Sequence, residues 1–140
     1  MPQASKIRAL VVDDQLTMRT LVRSCLQQIG LTEIREFPKG RLELVKIGGA
    51  TVGRATFEPG FHWKTCVQPI AKTESCDAEH LQFHVSGVMR VRMDDGTELD
   101  CKAGDVSLLP AGHDAWVVGD EPVVVVDFQG MVDYAKLVLY

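Results

Sequence analysis

The stretch Gly104-Asp105-Val106-Ser107-Leu108-Leu109-Pro110-Ala111-Gly112 decides the fold. Gly104-Asp105 has the residue types of a tight turn leading into a strand, because glycine accepts the positive φ such turns need. Val106 to Leu109 supplies four residues of strand, and Pro110-Ala111-Gly112 turns the chain out again. A strand this short, closed by turns at both ends, fits an all-β barrel or sandwich better than a helical or parallel fold.

Outward from it the same punctuation repeats. Asp94-Asp95-Gly96-Thr97 is a hairpin turn, and Gly48-Gly49, Pro59-Gly60 and Gly119-Asp120-Glu121-Pro122 mark further turns. The spacing predicts strands over 42–47, 51–57, 62–68, 80–85, 88–93, 97–101, 105–109, 114–118 and 122–129. The segment 69–79 is a longer polar connection. Residues 131–140 read as a C-terminal tail, either a helical turn or a trailing arm.

Upstream of Pro38-Lys39-Gly40 the character changes. Ile7 to Val12 is a continuous apolar run of the kind buried on both faces of a parallel sheet. Asp13-Asp14 ends it. Leu16, Leu21, Val22, Cys25, Leu26 and Ile29 then share a helical stripe that stops at Gly30. A short strand over 32–37 completes a β-α-β reading. The expected domains are therefore 1–40, 41–130 and the tail 131–140.

Composition narrows the function classes. Hydrophobic residues make up 46% and charged residues 24% of the 140, the balance of a chain with a real core. A net charge of -4 and a pI of about 5.5 argue against nucleic-acid partners and against a membrane surface. The apolar runs, such as Val123 to Val126, are too short to span a bilayer, and Met1 to Lys6 has no apolar signal core. Cys25, Cys66, Cys76 and Cys101 form no CxxC pair and are expected to be free thiols in a cytoplasmic protein.

With these residues in view, two resemblances add expectations. The run from Gly104 to Gly112 resembles the second motif of the cupin superfamily, in which glycine is followed by a short strand and Pro-x-Gly. Pro59-Gly60, Cys66-x-Gln68 and the closing Gly87 resemble the first motif. The segment from His113 to Pro122 looks like a subgroup of small single-domain cupins. The resemblance implies a mainly β fold for 41–130, a cupin-type double-stranded β-helix or jelly-roll barrel, and a homodimer. Residues 6 to 40 resemble the start of a response-regulator receiver of the chemotaxis type, through Leu10-Val11-Val12-Asp13-Asp14, Thr17-Met18-Arg19, Gln28-Ile29-Gly30 and Ile34-Arg35-Glu36. The phosphoacceptor, switch and lysine of that family have no counterpart here. The reading is thus a truncated fragment with no phosphorylation site and no phosphorelay chemistry.

The metal pattern departs from that of typical metal cupins. Cys66 and Gln68 stand where the paired histidines would be, His80 where the carboxylate would be, and Ala115 where the last histidine would be. A substitute set of Cys66, Cys76, His80 and His113 would suit a divalent, zinc-like transition metal, since thiolate and imidazole are both good Zn²⁺ ligands. His80, Gln82 and His84 alternate and so share one face of a strand. With Gln68 and Trp116 they form the expected lining for a small polar ligand. The expected function is ligand binding by a small cupin module with few of the usual ligands for enzymatic metal chemistry. The alternatives are a metal-dependent oxygenase or isomerase, and a signalling protein that docks through its receiver fragment.

Overall fold

A computed structural model describes residues 31–136. Among them, nine strands form two antiparallel sheets. The larger sheet has the order β1-β2-β3-β9-β4-β7 and the smaller β6-β5-β8. The strands are β1 (Leu31–Phe37), β2 (Gly40–Ile47), β3 (Ala50–Phe57), β4 (His80–Ser86), β5 (Val88–Met93), β6 (Glu98–Lys102), β7 (Val106–Leu109), β8 (His113–Val118) and β9 (Val123–Asp127). The core lies between the sheets. Leu42, Leu44, Ala55, Phe57, Val91, Val117, Val123 and Val125 project into it from alternate positions of their strands.

One sequence expectation is corrected. The strand expected at 62–68 is a pair of short helices, α1 (Trp63–Cys66) and α2 (Gln68–Ala71). Trp63, Cys66 and Val67 are its buried residues, and a spacing of three and four is helical. Pro69 sits in the first turn of α2, where its missing N–H costs nothing. The strand expected over 32–37 is present as β1, which pairs antiparallel with β2 from Phe37↔Gly40 to Leu31↔Val45, with one irregularity in register. The remainder of the receiver-like fragment, with Asp13 and Asp14, lies outside the described residues.

Three features place one end of the sandwich. The polar connection before β4 is fixed to the start of β8, where Cys76 N–H donates to the His113 carbonyl (2.7 Å) and Gly112 N–H donates to the Cys76 carbonyl (2.7 Å). The chain after β9 folds back over the same end, burying Met131, Tyr134 and Ala135. Arg35 on β1 holds that segment by donating to the carbonyls of Met131 (3.2 Å), Tyr134 (2.7 Å) and Val132 (2.7 Å), while Glu33 pairs with its Nε. A guanidinium with five fixed donors suits a row of carbonyls in this way.

Gly87, between β4 and β5, has φ +74, and a Cβ there would stand 2.6 Å from the Pro122 carbonyl oxygen. Backbone strain and steric overlap coincide, so Gly87→Ala is expected to cost about 2–4 kcal/mol. Urea denaturation would read this as a lower midpoint at unchanged slope; an unchanged midpoint would show that the turn relaxes freely.

Candidate metal centre

β4 begins with His80, Leu81, Gln82, Phe83 and His84, and β9 ends with Val125, Val126 and Asp127. Register pairs Gln82 with Asp127. Directly opposed residues on neighbouring strands face the same side of a sheet, here the interior. His80, Gln82, His84 and Asp127 are all buried in it, Asp127 completely.

A buried carboxylate is tolerated only when donors meet it. Asp127 has four. Oδ2 lies 2.7 Å from His80 Nδ1 and accepts from Gln82 Nε2 at 2.8 Å; Oδ1 accepts from the backbone N–H groups of Gln129 (2.8 Å) and Gly130 (3.0 Å). Because an ionised carboxylate only accepts, His80 carries its proton on Nδ1. Its Nε2 is therefore directed away from Asp127, and it lies 3.5 Å from Cys76 Sγ.

His113 is oriented by the same logic. Its Nδ1 is 2.7 Å from the Pro110 carbonyl oxygen, which can only accept, so Nδ1 carries a proton and Nε2 is the ring atom not used by that bond. The rings of His80 and His113 meet edge to face at 5.5 Å. Cys76, His80 and His113, all buried, offer one ligand atom each within 4.8 Å of one another. They bound an interior cavity of about 30 Å³, walled further by Gln82, Met131 and Tyr134. That is room for a single ion or water rather than an organic ligand. One thiolate and two imidazoles are a soft donor set suited to Zn²⁺, and a histidine steadied by a buried carboxylate is the usual outer-shell support of such sites.

The electrostatics match a thiolate beside an imidazolium when no cation is bound. Burial pushes the Cys76 thiol up, but hydrogen bonds from His113 and His80 outweigh it and bring the pKa from 9.0 down to about 6. Burial pulls His80 down, but the hydrogen bonds to Asp127 and Cys76 prevail and raise it from 6.5 to about 9.

The other residues singled out by sequence lie elsewhere. Cys66 is buried in α1 with its Sγ 3.6 Å from Thr65 Oγ1, outside the three-residue group. Gln68 starts α2 and Trp116 stacks on His62 at 5.2 Å; neither lines the interior cavity. His84 also stands apart from it. Its Nε2 is 2.8 Å from Ser107 Oγ, its Nδ1 has no partner among the described residues, and burial holds its pKa down. Residue-by-residue reading missed Asp127, Gly130 and Tyr134. Gly130 is required for contact, since a Cβ there would come 2.2 Å from His80 Nδ1. Tyr134 packs on the His80 ring at 5.6 Å. The signal for Asp127 was its phase, because Val123, Val125 and Asp127 alternate together at the end of an apolar strand.

No family model matches the sequence, and no curated protein matches it. Similar solved structures include a protein of unknown function (DUF1255) from Acinetobacter sp. ADP1, 14% identical, with a TM-score of 0.53 over 71% of this chain and 90% of that one. KdgF from Halomonas sp. is 16% identical, with a TM-score of 0.52 over 72% and 88% of the two chains. A cupin-like protein from Thermotoga maritima is 17% identical, with a TM-score of 0.47 over 66% and 69%. The described residues share the fold of the Acinetobacter protein and of KdgF. At these identities the likeness is one of architecture. No helix among the described residues is long and apolar enough to cross a membrane.

The two pKa displacements oppose each other in pH. The lowered Cys76 contributes stability that is full above pH 9.0 and lost as pH falls through about 6. The raised His80 contributes stability that is full below pH 6.5 and lost as pH rises through about 9. Between about pH 6 and 9 the two contributions change in opposite directions, so the melting temperature of metal-free protein is expected to stay nearly level there. Cys76→Ser, which keeps only the His80 contribution, should instead lose stability as pH rises through that range. Parallel profiles in the two proteins would contradict the thiolate assignment.

Proposed function

We propose that this cupin-like module binds a divalent, zinc-like metal through Cys76, His80 and His113, and presents it to a small polar ligand at one end of the sandwich. The observation that carries the reading is the pair of hydrogen bonds from His80 Nδ1 to Asp127 and from His113 Nδ1 to Pro110, which leave Nε2 as the atom each ring can offer to a metal in place of a proton. Bound there, such a metal supplies Lewis-acid polarisation with a coordination position left for water or ligand. Asp127 fixes the tautomer and angle of His80, and Tyr134 and Met131 restrict water from above. A metal-dependent enzyme is the second reading, favoured because the outer cleft meets the centre at Cys76.

Protein purified without an affinity tag is expected to hold about one equivalent of a transition metal. Cys76→Ala or His80→Ala should abolish it, Asp127→Asn should weaken affinity by about 10–100-fold, and Cys66→Ala should leave it intact. Elemental analysis and competition with a chelator read these out. Full retention of metal by Cys76→Ala would overturn the ligand set.

A second copy of the chain is the proposed partner. Leu81, Phe83, Val85, Val106, Leu108 and Phe128 lie on the outer side of β4, β7 and the end of β9, with Val106 70% and Leu108 63% exposed. Register places Leu81 beside Leu108 and Phe83 beside Val106, so the patch is continuous. It carries no charge, so two copies related by a twofold axis meet without repulsion, and β7 is an edge strand among the described residues. Analytical ultracentrifugation should show a dimer that Val106→Lys with Leu108→Glu converts to a folded monomer. A monomeric wild type at working concentrations would remove the proposal.

A further inference from the structure

We infer that residues 130–136 form a strap that opens to let metal reach Cys76, His80 and His113, and that Arg35 is the latch that sets the rate. The inference rests on the metal reading for what passes, though not for the movement.

All three ligand residues are buried, and the cavity they bound holds about 30 Å³. A hydrated divalent ion cannot enter a closed space that holds about one water. Some covering element must move. Most of the wall is fixed by backbone bonds: His80 and Gln82 lie on β4 between β7 and β9, and Cys76 is bonded to His113 at the start of β8. Residues 130–136 differ. Among the described residues their one backbone–backbone hydrogen bond is local, from Lys136 N–H to the Asp133 carbonyl at 3.2 Å. Yet Met131 and Tyr134 wall the cavity, and Gly130 and Tyr134 also line the outer cleft of about 350 Å³ that meets it at Cys76. Segments with few backbone bonds open at the lowest free energy. Lifting this one joins the cavity to the cleft.

Side chains do most of the holding. Gly130 N–H is pinned to Asp127 Oδ1, which marks the hinge end. Beyond it the Tyr134 ring meets His80 at 5.6 Å and Phe37 at 6.0 Å. Arg35 supplies the polar restraint. Its Nη1 donates to the Met131 and Tyr134 carbonyls and its Nη2 to that of Val132, while Glu33 takes Nε, so both ends of the fork face the strap. Ala135 holds φ +52, a region that side chains disfavour, so these contacts and not local preference impose the closed path. Arg35 lies outside the cavity wall and acts on passage, not on coordination. A latch that is the same in filled and empty protein slows entry and exit by one factor and leaves affinity alone; a residue that shapes the ligands changes affinity.

Zinc uptake by the 140-residue chain, and zinc release from it to a chelator, test the latch. Arg35→Ala is expected to speed both by about tenfold or more, since charge-assisted bonds to three carbonyls are lost, while Kd moves by less than about threefold. Arg35→Lys, a point charge in place of a planar fork, should fall between. Arg41→Ala, which removes an exposed pair with Glu36 on the same hairpin, should leave both rates at the wild-type value. Unchanged rates in both Arg35 variants, or faster release matched by weaker affinity, would overturn the inference. Metal-free protein gives a second readout. Alkylation of Cys76 by iodoacetamide at fixed pH, followed by peptide mass mapping, should accelerate in Arg35→Ala. Faster alkylation in a protein that takes up no zinc would overturn the metal reading and leave the strap standing; unchanged alkylation would overturn the strap.

Discussion

One buried carboxylate organises this end of the molecule. Asp127 has no solvent contact, and an ionised carboxylate in that position is tolerable only with donors on both oxygens. Those donors come from two places: two side chains on β4 and two backbone N–H groups of the turn after β9. Satisfying Asp127 therefore fixes the rotamer and tautomer of His80, the inward direction of Gln82, and the path by which the chain leaves β9. That path carries Met131 and Tyr134 over the cavity, where Arg35 holds the backbone. The free Nε2 of His80 is thus a consequence of a folding constraint, and a preorganised ligand costs less ordering when a metal binds.

The sheet architecture was legible because turn chemistry is local. The turn at Asp94-Asp95-Gly96-Thr97 forms as read, with Gly96 at φ +91, Thr97 N–H donating to Asp95 Oδ1, and Met93 N–H donating to the Thr97 carbonyl. The alternation of His80, Gln82 and His84 likewise identified side chains that share a face, and that face is the interior. What local reading could not supply was partnership across the chain. β1 was read as a strand, but its pairing with β2, three residues further on, was not. The stretch 62–68 was read as a strand through turn spacing, although the burial of Trp63, Cys66 and Val67 has helical spacing.

The candidate site shows the same division. Cys76, His80 and His113 were chosen as soft ligands by residue type, and their convergence comes from the backbone bridge between Cys76 and His113. Cys66 had equal chemical merit but sits in a short helix with its thiol beside Thr65. Asp127 was passed over as the end of a valine run, since nothing local distinguishes an outward aspartate from one buried against a histidine 47 residues away. The fold accommodates all of this without specifying it, because fold and chemistry are separable.

The central claim is that one thiolate and two imidazoles converge on a metal. X-ray absorption spectroscopy of the zinc-loaded protein addresses it most directly. The account predicts a first shell with a single sulfur at about 2.3 Å and nitrogen donors at about 2.0–2.1 Å, with the outer-ring scattering of two histidines. A shell composed entirely of oxygen and nitrogen, unchanged by Cys76→Ala, would contradict it.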